Sequence, residues 1–437
     1  MFHVLLGAPV IVKVLGSLTF ILVLSRFLKE LTVSVVAGTL LLAWWCGQSP
    51  GATARIVWLG LSSTDTLLLV AVVFQVIWLS SQMAATGVME DLVRGVSARV
   101  SPRAAMAVLP AVIGLLPMPG GALFSAPLVD SVDAAGEVPA ALKAQTNHWF
   151  RHVWEYWWPL YPGVLLAMQL TRLEVWQFAL LQAPLTIGAV AAGWWFLLRR
   201  IHMPSAAPKG EWRGPSLVRL MMPIIVVVVV YGVVRAGYAA LGGAVKGLPE
   251  MNRYVPMVVG LCGSILVLQF DRPLRLNQWQ EILLSGRAAK LVIIVLAVLA
   301  YGAFIEAKLP NGALLVDQMR AEMADWGIPL TGIVMVLPLV SGLAMGLSVG
   351  FVGASFPIVI SLLGANPPAH VFFPTVELAF AFGYMGMLLS PVHVCLIVTS
   401  QHFETYLLHN VAALLKPAAV TLAWALVLHG ALLLIFP

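Results

Sequence analysis

The sequence predicts an all-α polytopic membrane protein made of two inverted repeats, and three observations support this fold class. First, 60% of the 437 residues are hydrophobic and 10% are charged, whereas soluble domains carry roughly 25% charged residues. Second, apolar runs long enough to span a bilayer recur along the whole chain. Third, proline and glycine interrupt one such run in each half. The net charge of +6 fits the excess of Lys and Arg typical of cytoplasmic loops, and we expect no nucleic-acid partner.

Each half of the chain is predicted to hold three spans, a broken hydrophobic hairpin and two further spans. In the first repeat (residues 1–198) the spans lie near 8–27, 31–47, 65–87, 145–170 and 174–199, with the hairpin at about 104–135. A polar linker covers 199–215. In the second repeat (216–437) the spans lie near 216–240, 253–270, 288–306, 370–398 and 414–436, with the hairpin at about 329–364.

An odd number of crossings per half places the two halves in opposite orientations. The interrupted segments "PGGALFSAP" and "GFVGASFP" overlay with Ser125 on Ser355. Inverted repeats with such interruptions recur in secondary transporters. Basic residues concentrate in the loops that share a side with the linker, so we expect a cytoplasmic linker. The chain is then a multi-pass protein of the cytoplasmic (inner) membrane, with both termini on the outer side of that membrane.

The two hairpin tips are the first candidate binding site. Irregular backbone at membrane depth is tolerated where it is buried in protein or lines a cavity. A helix that begins at the tip offers unpaired N–H groups to an anion, and carbonyls freed in the first arm can coordinate a small cation. The alternative is a proline kink in an ordinary helix. The predicted substrate-binding residues are Pro119, Gly120, Gly121, Ser125, Gly350, Gly353 and Ser355, and Ser348 is predicted to serve ion coupling.

The segment "TNHWFRHVWEYWWPLYPG" after the first hairpin is the second candidate. Helical spacing places four ionisable residues on one side of the predicted span: His148, Arg151, His152 and Glu155. We expect Arg151 and Asn147 to bind an anion, and His152 and Glu155 to carry coupling ions or protons. The alternative is an ordinary interfacial anchor of Trp and Arg.

The second half differs chemically, because Glu377 stands where the first half has Asn147. We predict a coupling role for Glu377. In the first half, Pro159 and Pro162 of "WWPLYPG" are predicted to break the helix. The segment "MLLSPVH" repeats this break in the second half, so that Ser390 or His393 could face the site, although a lone histidine more often packs with its polar atoms satisfied.

The two quoted motifs resemble an uncharacterised prokaryotic integral-membrane family, catalogued as a domain of unknown function. That family is grouped with the ion transporter superfamily, beside gluconate, citrate, dicarboxylate and arsenite permeases. The resemblance covers nearly the whole chain. It implies a dimeric scaffold and a mobile transport domain that carries organic anions by elevator-like motion. The dicarboxylate carriers have a Ser-Asn-Thr signature at their tips, and this chain has "PMPGGALFS" and "LSVGFVGAS" instead.

The sequence therefore favours a secondary active transporter for a small organic anion, with sodium or protons as the coupling ion. No resident cofactor and no enzymatic activity are expected, and no nucleotide-binding loop of the G-x-x-x-x-G-K-[ST] type occurs. The first alternative is a cation/proton antiporter without an organic substrate. The second is an intramembrane metalloenzyme with His148, His152 and Glu155 as ligands, although no second group of ligands accompanies them in the sequence.

Overall fold

The regular elements of the chain are helices throughout the part that the computed structural model describes. These are residues 8–28, 30–116, 121–133, 135–203, 212–245, 247–364 and 366–436. The all-α fold class is confirmed for these ranges. The predicted site residues Pro119 and Gly120 lie outside the described residues.

Ten α-helices make up the described part of the first half. They are α1 (Val10–Leu28), α2 (Leu31–Trp45), α3 (Pro50–Leu61), α4 (Thr64–Ala85), α5 (Val88–Ser97), α6 (Pro102–Ile113), α7 (Ala122–Val132), α8 (Ala140–Arg151), α9 (Pro162–Thr171) and α10 (Val175–Phe196). A 3₁₀ turn at Leu198–Arg200 follows the last of them.

Ten more helices occupy the described part of the second half. They are α11 (Leu217–Ala244), α12 (Val255–Asp271), α13 (Leu276–Leu284), α14 (Arg287–Ile305), α15 (Leu315–Asp325), α16 (Leu330–Met345), α17 (Ser348–Leu363), α18 (Ala369–Leu388), α19 (Val394–His402) and α20 (Leu407–Ile435).

Seven helical stretches among the described residues are long and apolar enough to cross a membrane; they are built on α1, α4, α10, α11, α14, α18 and α20. The chain is therefore a multi-pass membrane protein. The predicted spans at 31–47 and 253–270 are shorter helices, α2 and α12, of 15 and 17 residues.

Two predicted spans are each broken into two helices. The run near 145–170 stops being helical at Arg151 and resumes at Pro162, and the run near 370–398 is interrupted between Leu388 and Val394. The first break was predicted at Pro159 and begins earlier, because side chains of the loop are bonded to the first hairpin, as described below.

Helices α3 and α13 lie outside the predicted spans and hairpins. The start of α3 has a clear local cause, since Ser49 accepts a hydrogen bond from the Ala52 amide at 3.2 Å and Pro50 occupies the first helical position.

Each predicted hairpin consists of two short helices packed against each other. We call the segment between the two helices the bend, and residues 117–120 of the first bend lie outside the described residues. In the first, α6 and α7 contain 12 and 11 residues, and at 1.5 Å per residue each is only about 17 Å long. Neither can cross a hydrocarbon core of about 30 Å alone. In the second, α16 ends at Gly346, a left-handed residue with φ of 62°, and α17 begins at Ser348.

The hairpins pack against the broken helices in a reciprocal way. The second arm of the first hairpin, α7, lies against α19 of the second half, and the second arm of the other hairpin, α17, lies against α9 of the first half. The first arm of each hairpin packs against the helix that precedes the break of its own half: α6 lies against α8, and α16 lies against α18. As a result, both bends and both breaks lie in one region of the molecule.

Glycines allow a close crossing between α16 and α18. A Cβ added to Gly342 would lie 2.2 Å from the Gly383 carbonyl oxygen, and one added to Gly386 would lie 2.2 Å from the Leu339 oxygen. Small residues at a helix crossing let two backbones approach closely in a membrane. This contact fixes the second hairpin against the broken helix that follows it.

We expect Gly386→Ala to lower the free energy of unfolding by about 1–3 kcal/mol, because the added methyl group forces the two helices apart. Thermal unfolding of purified protein measures the effect. Gly237→Ala on α11 is the matched control, since nothing lies within 4 Å of a Cβ at that position. Equal melting temperatures for the two variants would show that the helices do not cross there.

Candidate functional site

The carbonyl groups at the end of α6 are capped by aromatic side chains from the break between α8 and α9. A helix end leaves carbonyls without intrahelical partners. Three donors from the break bond to three such oxygens: Trp154 to Ala111 at 2.9 Å, Trp158 to Leu115 at 2.9 Å, and Tyr161 to Gly114. These three side chains therefore anchor the hairpin bend, and each of the three carbonyls already accepts one side-chain hydrogen bond.

The second hairpin is capped in the same way from the break between α18 and α19. Ser390 Oγ donates to the Leu343 oxygen and His393 Nδ1 donates to the Gly346 oxygen, both at 2.7 Å. His393 lies 47 residues after its acceptor Gly346, and Tyr161 lies 47 residues after its acceptor Gly114. Each half thus ties its bend to its own following break.

Three buried histidines meet where these breaks converge. His148 and His152 come from the end of α8, and His393 comes from the second break. Their ring centroids lie 4.8–5.2 Å apart, and His152 Nε2 is 3.1 Å from His393 Nε2. We call these three residues the histidine cluster. Sequence analysis grouped the first two and left open whether His393 faces the site or packs elsewhere, and the structure places it in contact with His152.

Arg151 connects the histidine cluster to the tip of the first hairpin. Its Nη1 lies 3.0 Å from Cys395 Sγ and 3.3 Å from His152 Nε2. A Cβ on Gly121 would lie 2.2 Å from Nη2, so the guanidinium rests on the backbone where α7 begins. The absence of a side chain at Gly121 is what allows this approach.

Glu155 reaches the same region although it is not on a helix. Its Oε1 lies 3.8 Å from His152 Nε2. His152 caps the end of α8, so the predicted arrangement of His152 and Glu155 on one helical face was wrong. The turn after Arg151 brings the two side chains together instead, and the Tyr384 hydroxyl fixes this turn by donating to the His152 oxygen at 2.5 Å.

The predicted residues of the second hairpin have other contacts. Ser355 Oγ donates to the Phe351 oxygen of its own helix at 2.6 Å. A Cβ on Gly353 would lie 2.3 Å from Val298, and one on Gly350 would lie 2.8 Å from Met345. These three residues pack α17 against its surroundings, and none of their described contacts reaches the histidine cluster. Ser348 lies beside Gly163 at the start of α9.

Three further predicted residues are buried polar groups with unused hydrogen-bonding capacity. Asn147 donates to Thr399 Oγ1 at 3.0 Å, while its Oδ1 has no partner among the described residues. Ser125 Oγ is likewise buried and without one. Glu377 is 0% exposed, and neither of its carboxyl oxygens accepts or donates a hydrogen bond within the described chain. Such buried polar atoms are uncommon and mark functional candidates.

Sequence reasoning missed Cys395 and Tyr384 entirely. The three cysteines of the chain have no metal or redox spacing, so nothing in the pattern distinguished Cys395, whose sulfur lies 3.0 Å from Arg151 Nη1. The recurrence of a proline break before His393 was the one available signal for the second half of the site.

The sequence of this chain matches a described protein family over residues 11–247 and 250–432. The family is "Protein of unknown function (DUF401)". The chain belongs to DUF401. No curated protein matches the chain. Since the description of DUF401 states no activity, the function has to be argued from the geometry of the site.

We expect Tyr161→Phe to cost about 1–3 kcal/mol of stability, because it leaves the buried Gly114 carbonyl without its donor. Tyr238→Phe is the matched control: it removes the same kind of bond, to the Pro249 oxygen, from an exposed position. Thermal unfolding compares the two. A Tyr161→Phe variant no less stable than Tyr238→Phe would mean that the cap of the first bend does not contribute.

Proposed function

We propose that this DUF401 protein is a secondary active transporter that moves a small organic anion across the cytoplasmic membrane, coupled to sodium or protons. One observation carries the proposal: two hairpin bends and two helix breaks, one of each from either half, meet at a single buried group of ionisable side chains. Broken helices that meet near the middle of a membrane are the usual setting of transporter binding sites. Non-helical backbone at membrane depth is costly unless it is buried in protein or lines a cavity.

An anion is the best substrate class for this arrangement. Arg151 brings a permanent positive charge and a planar set of donors that suits a carboxylate. Its guanidinium lies on Gly121, at the start of α7, where the helix dipole adds partial positive charge. The two sources of positive potential therefore coincide. Asn147 and Ser125 would supply neutral hydrogen bonds from α8 and α7.

The reciprocal packing supports an inverted repeat with alternating access. The contact of α7 with α19 corresponds to that of α17 with α9, and the capping pairs share a separation of 47 residues. The resemblance to the ion transporter superfamily adds the expectation of elevator-like motion against a homodimeric scaffold. In that scheme the hairpins and broken helices move together as the transport domain.

Glu377 is our candidate for proton coupling. A carboxylate without hydrogen bonds is expensive to bury, so this side chain is expected to hold a proton in the described conformation. It precedes Tyr384 by two helical turns on the same face of α18, about 10 Å from the residue that contacts His152. A move that gives Glu377 access to water would release the proton. The same observation favours the cation/proton antiporter as the second candidate function.

We expect Arg151→Lys to weaken anion binding about tenfold or more, because lysine keeps the charge but loses the planar pair of donors. The assay is the rise in melting temperature with citrate, gluconate or succinate, since a ligand of the folded state raises it. Arg272→Lys is the control: this arginine bonds to Asp91 at 2.7 Å, outside the site.

Failure of all three anions to stabilise the wild type, or an unchanged response in Arg151→Lys, would contradict an anion site at Arg151. Stabilisation by sodium alone would favour the antiporter.

We expect Glu377→Gln to abolish accumulation driven by a proton gradient in proteoliposomes while leaving exchange of internal for external anion intact. Glutamine has nearly the same shape and cannot release a proton. The exposed Glu281, replaced by Gln, serves as the control. Normal proton-driven accumulation by Glu377→Gln would exclude this residue from coupling.

A further inference from the structure

Each ring of the histidine cluster donates one N–H to a backbone carbonyl. His152 Nδ1 lies 2.6 Å from the His148 oxygen, and His393 Nδ1 lies 2.7 Å from the Gly346 oxygen. His148 uses its other nitrogen, Nε2, which is 3.0 Å from the Leu388 oxygen. A carbonyl can only accept, so these three nitrogens carry the protons. The tautomer of each neutral ring is thereby fixed.

In the neutral rings the remaining nitrogens carry lone pairs. They are His148 Nδ1, His152 Nε2 and His393 Nε2. The three histidines offer ligand atoms that all lie within 4.8 Å of one another, and His148 Nδ1 is buried without a hydrogen bond among the described residues. His152 Nε2 and His393 Nε2 approach to 3.1 Å, although two lone pairs do not attract. Either a shared proton or a metal cation between the two nitrogens accounts for this distance.

We propose that His148, His152 and His393 form a binding site for a late first-row transition-metal ion such as Zn²⁺, Co²⁺ or Ni²⁺. Imidazole is the ligand that these ions favour, and three histidines are a common protein donor set for zinc. Metal-binding histidines typically donate the other ring N–H to a carbonyl or carboxylate, and all three rings do so here. This proposal goes beyond the transport function and does not depend on it.

A fourth donor is available at the same place. Glu155 Oε1 lies 3.8 Å from His152 Nε2, so a small movement completes a tetrahedral set of three imidazoles and a carboxylate. The carboxylate also offsets the charge of Arg151, whose contact with His152 at 3.3 Å is longer than its contact with Cys395 at 3.0 Å. Metal binding at His152 Nε2 requires Arg151 to give up this longer contact.

The two halves contribute unequally but jointly to the site. Two ligands and the carboxylate come from the first broken helix, and the third histidine comes from the second. Because His393 also caps Gly346 at the second bend, a bound metal would tie the two hairpins together. The site therefore depends on the folded arrangement of both halves and cannot form from either segment alone.

Binding of Co²⁺ to the purified, chelator-treated full chain tests the proposal. We expect one Co²⁺ per chain, with the visible absorption of four-coordinate cobalt, and its displacement by Zn²⁺. His393→Gln should lower the Co²⁺ affinity by more than tenfold, since the glutamine amide can still cap Gly346 but supplies no imidazole nitrogen. His429→Gln is the matched control, because this histidine also faces a carbonyl, that of Pro374 at 3.1 Å, outside the cluster.

The wild-type measurement stands even if His393→Gln fails to fold. A chain that takes up neither Co²⁺ nor Zn²⁺ overturns the proposal, and the contact between His152 and His393 is then a shared proton. Co²⁺ binding with equal affinity in a folded His393→Gln variant overturns it as well. Neither outcome alters the anion assay on Arg151→Lys, so the two proposals fail separately.

Discussion

The need to satisfy backbone carbonyls inside a membrane is the constraint on which this structure depends. Each hairpin bend frees oxygens that lipid cannot solvate. In both halves the donors come from the break in the next long helix: Trp158 and Tyr161 serve the first bend, and Ser390 and His393 serve the second. Bend and break thus compensate for each other.

This mutual dependence explains why the ionisable residues lie where they do. A break that caps a bend must sit at the same depth as the bend, so the side chains around the break are held deep in the protein. His152 and His393 flank the two breaks and meet at 3.1 Å. Arg151 extends the contact to Gly121. The two bends and the two breaks surround the resulting group of ionisable side chains. A solute or ion must enter this buried environment.

Much of the fold could be predicted from the sequence, because apolar runs and their proline or glycine interruptions are local signals. The site was harder. Arg151 and His152 were found because ionisable residues are rare within membrane spans. Gly353 and Ser355 were assigned to a ligand because the two interrupted segments are similar in sequence, but their described contacts are packing contacts. Cys395 gave no signal, because its position beside Arg151 depends on α8 lying against α19, a long-range contact that no local pattern encodes.

The structure of the protein in a lipid nanodisc, at a resolution that shows side chains, tests the central claim most directly. The account predicts that the two bends meet through Arg151, His152 and His393, with the carbonyls of Gly114 and Gly346 capped by Tyr161 and His393. Continuous helices through residues 102–132 and 330–363, or two bends separated by lipid with their carbonyls uncapped, would contradict it.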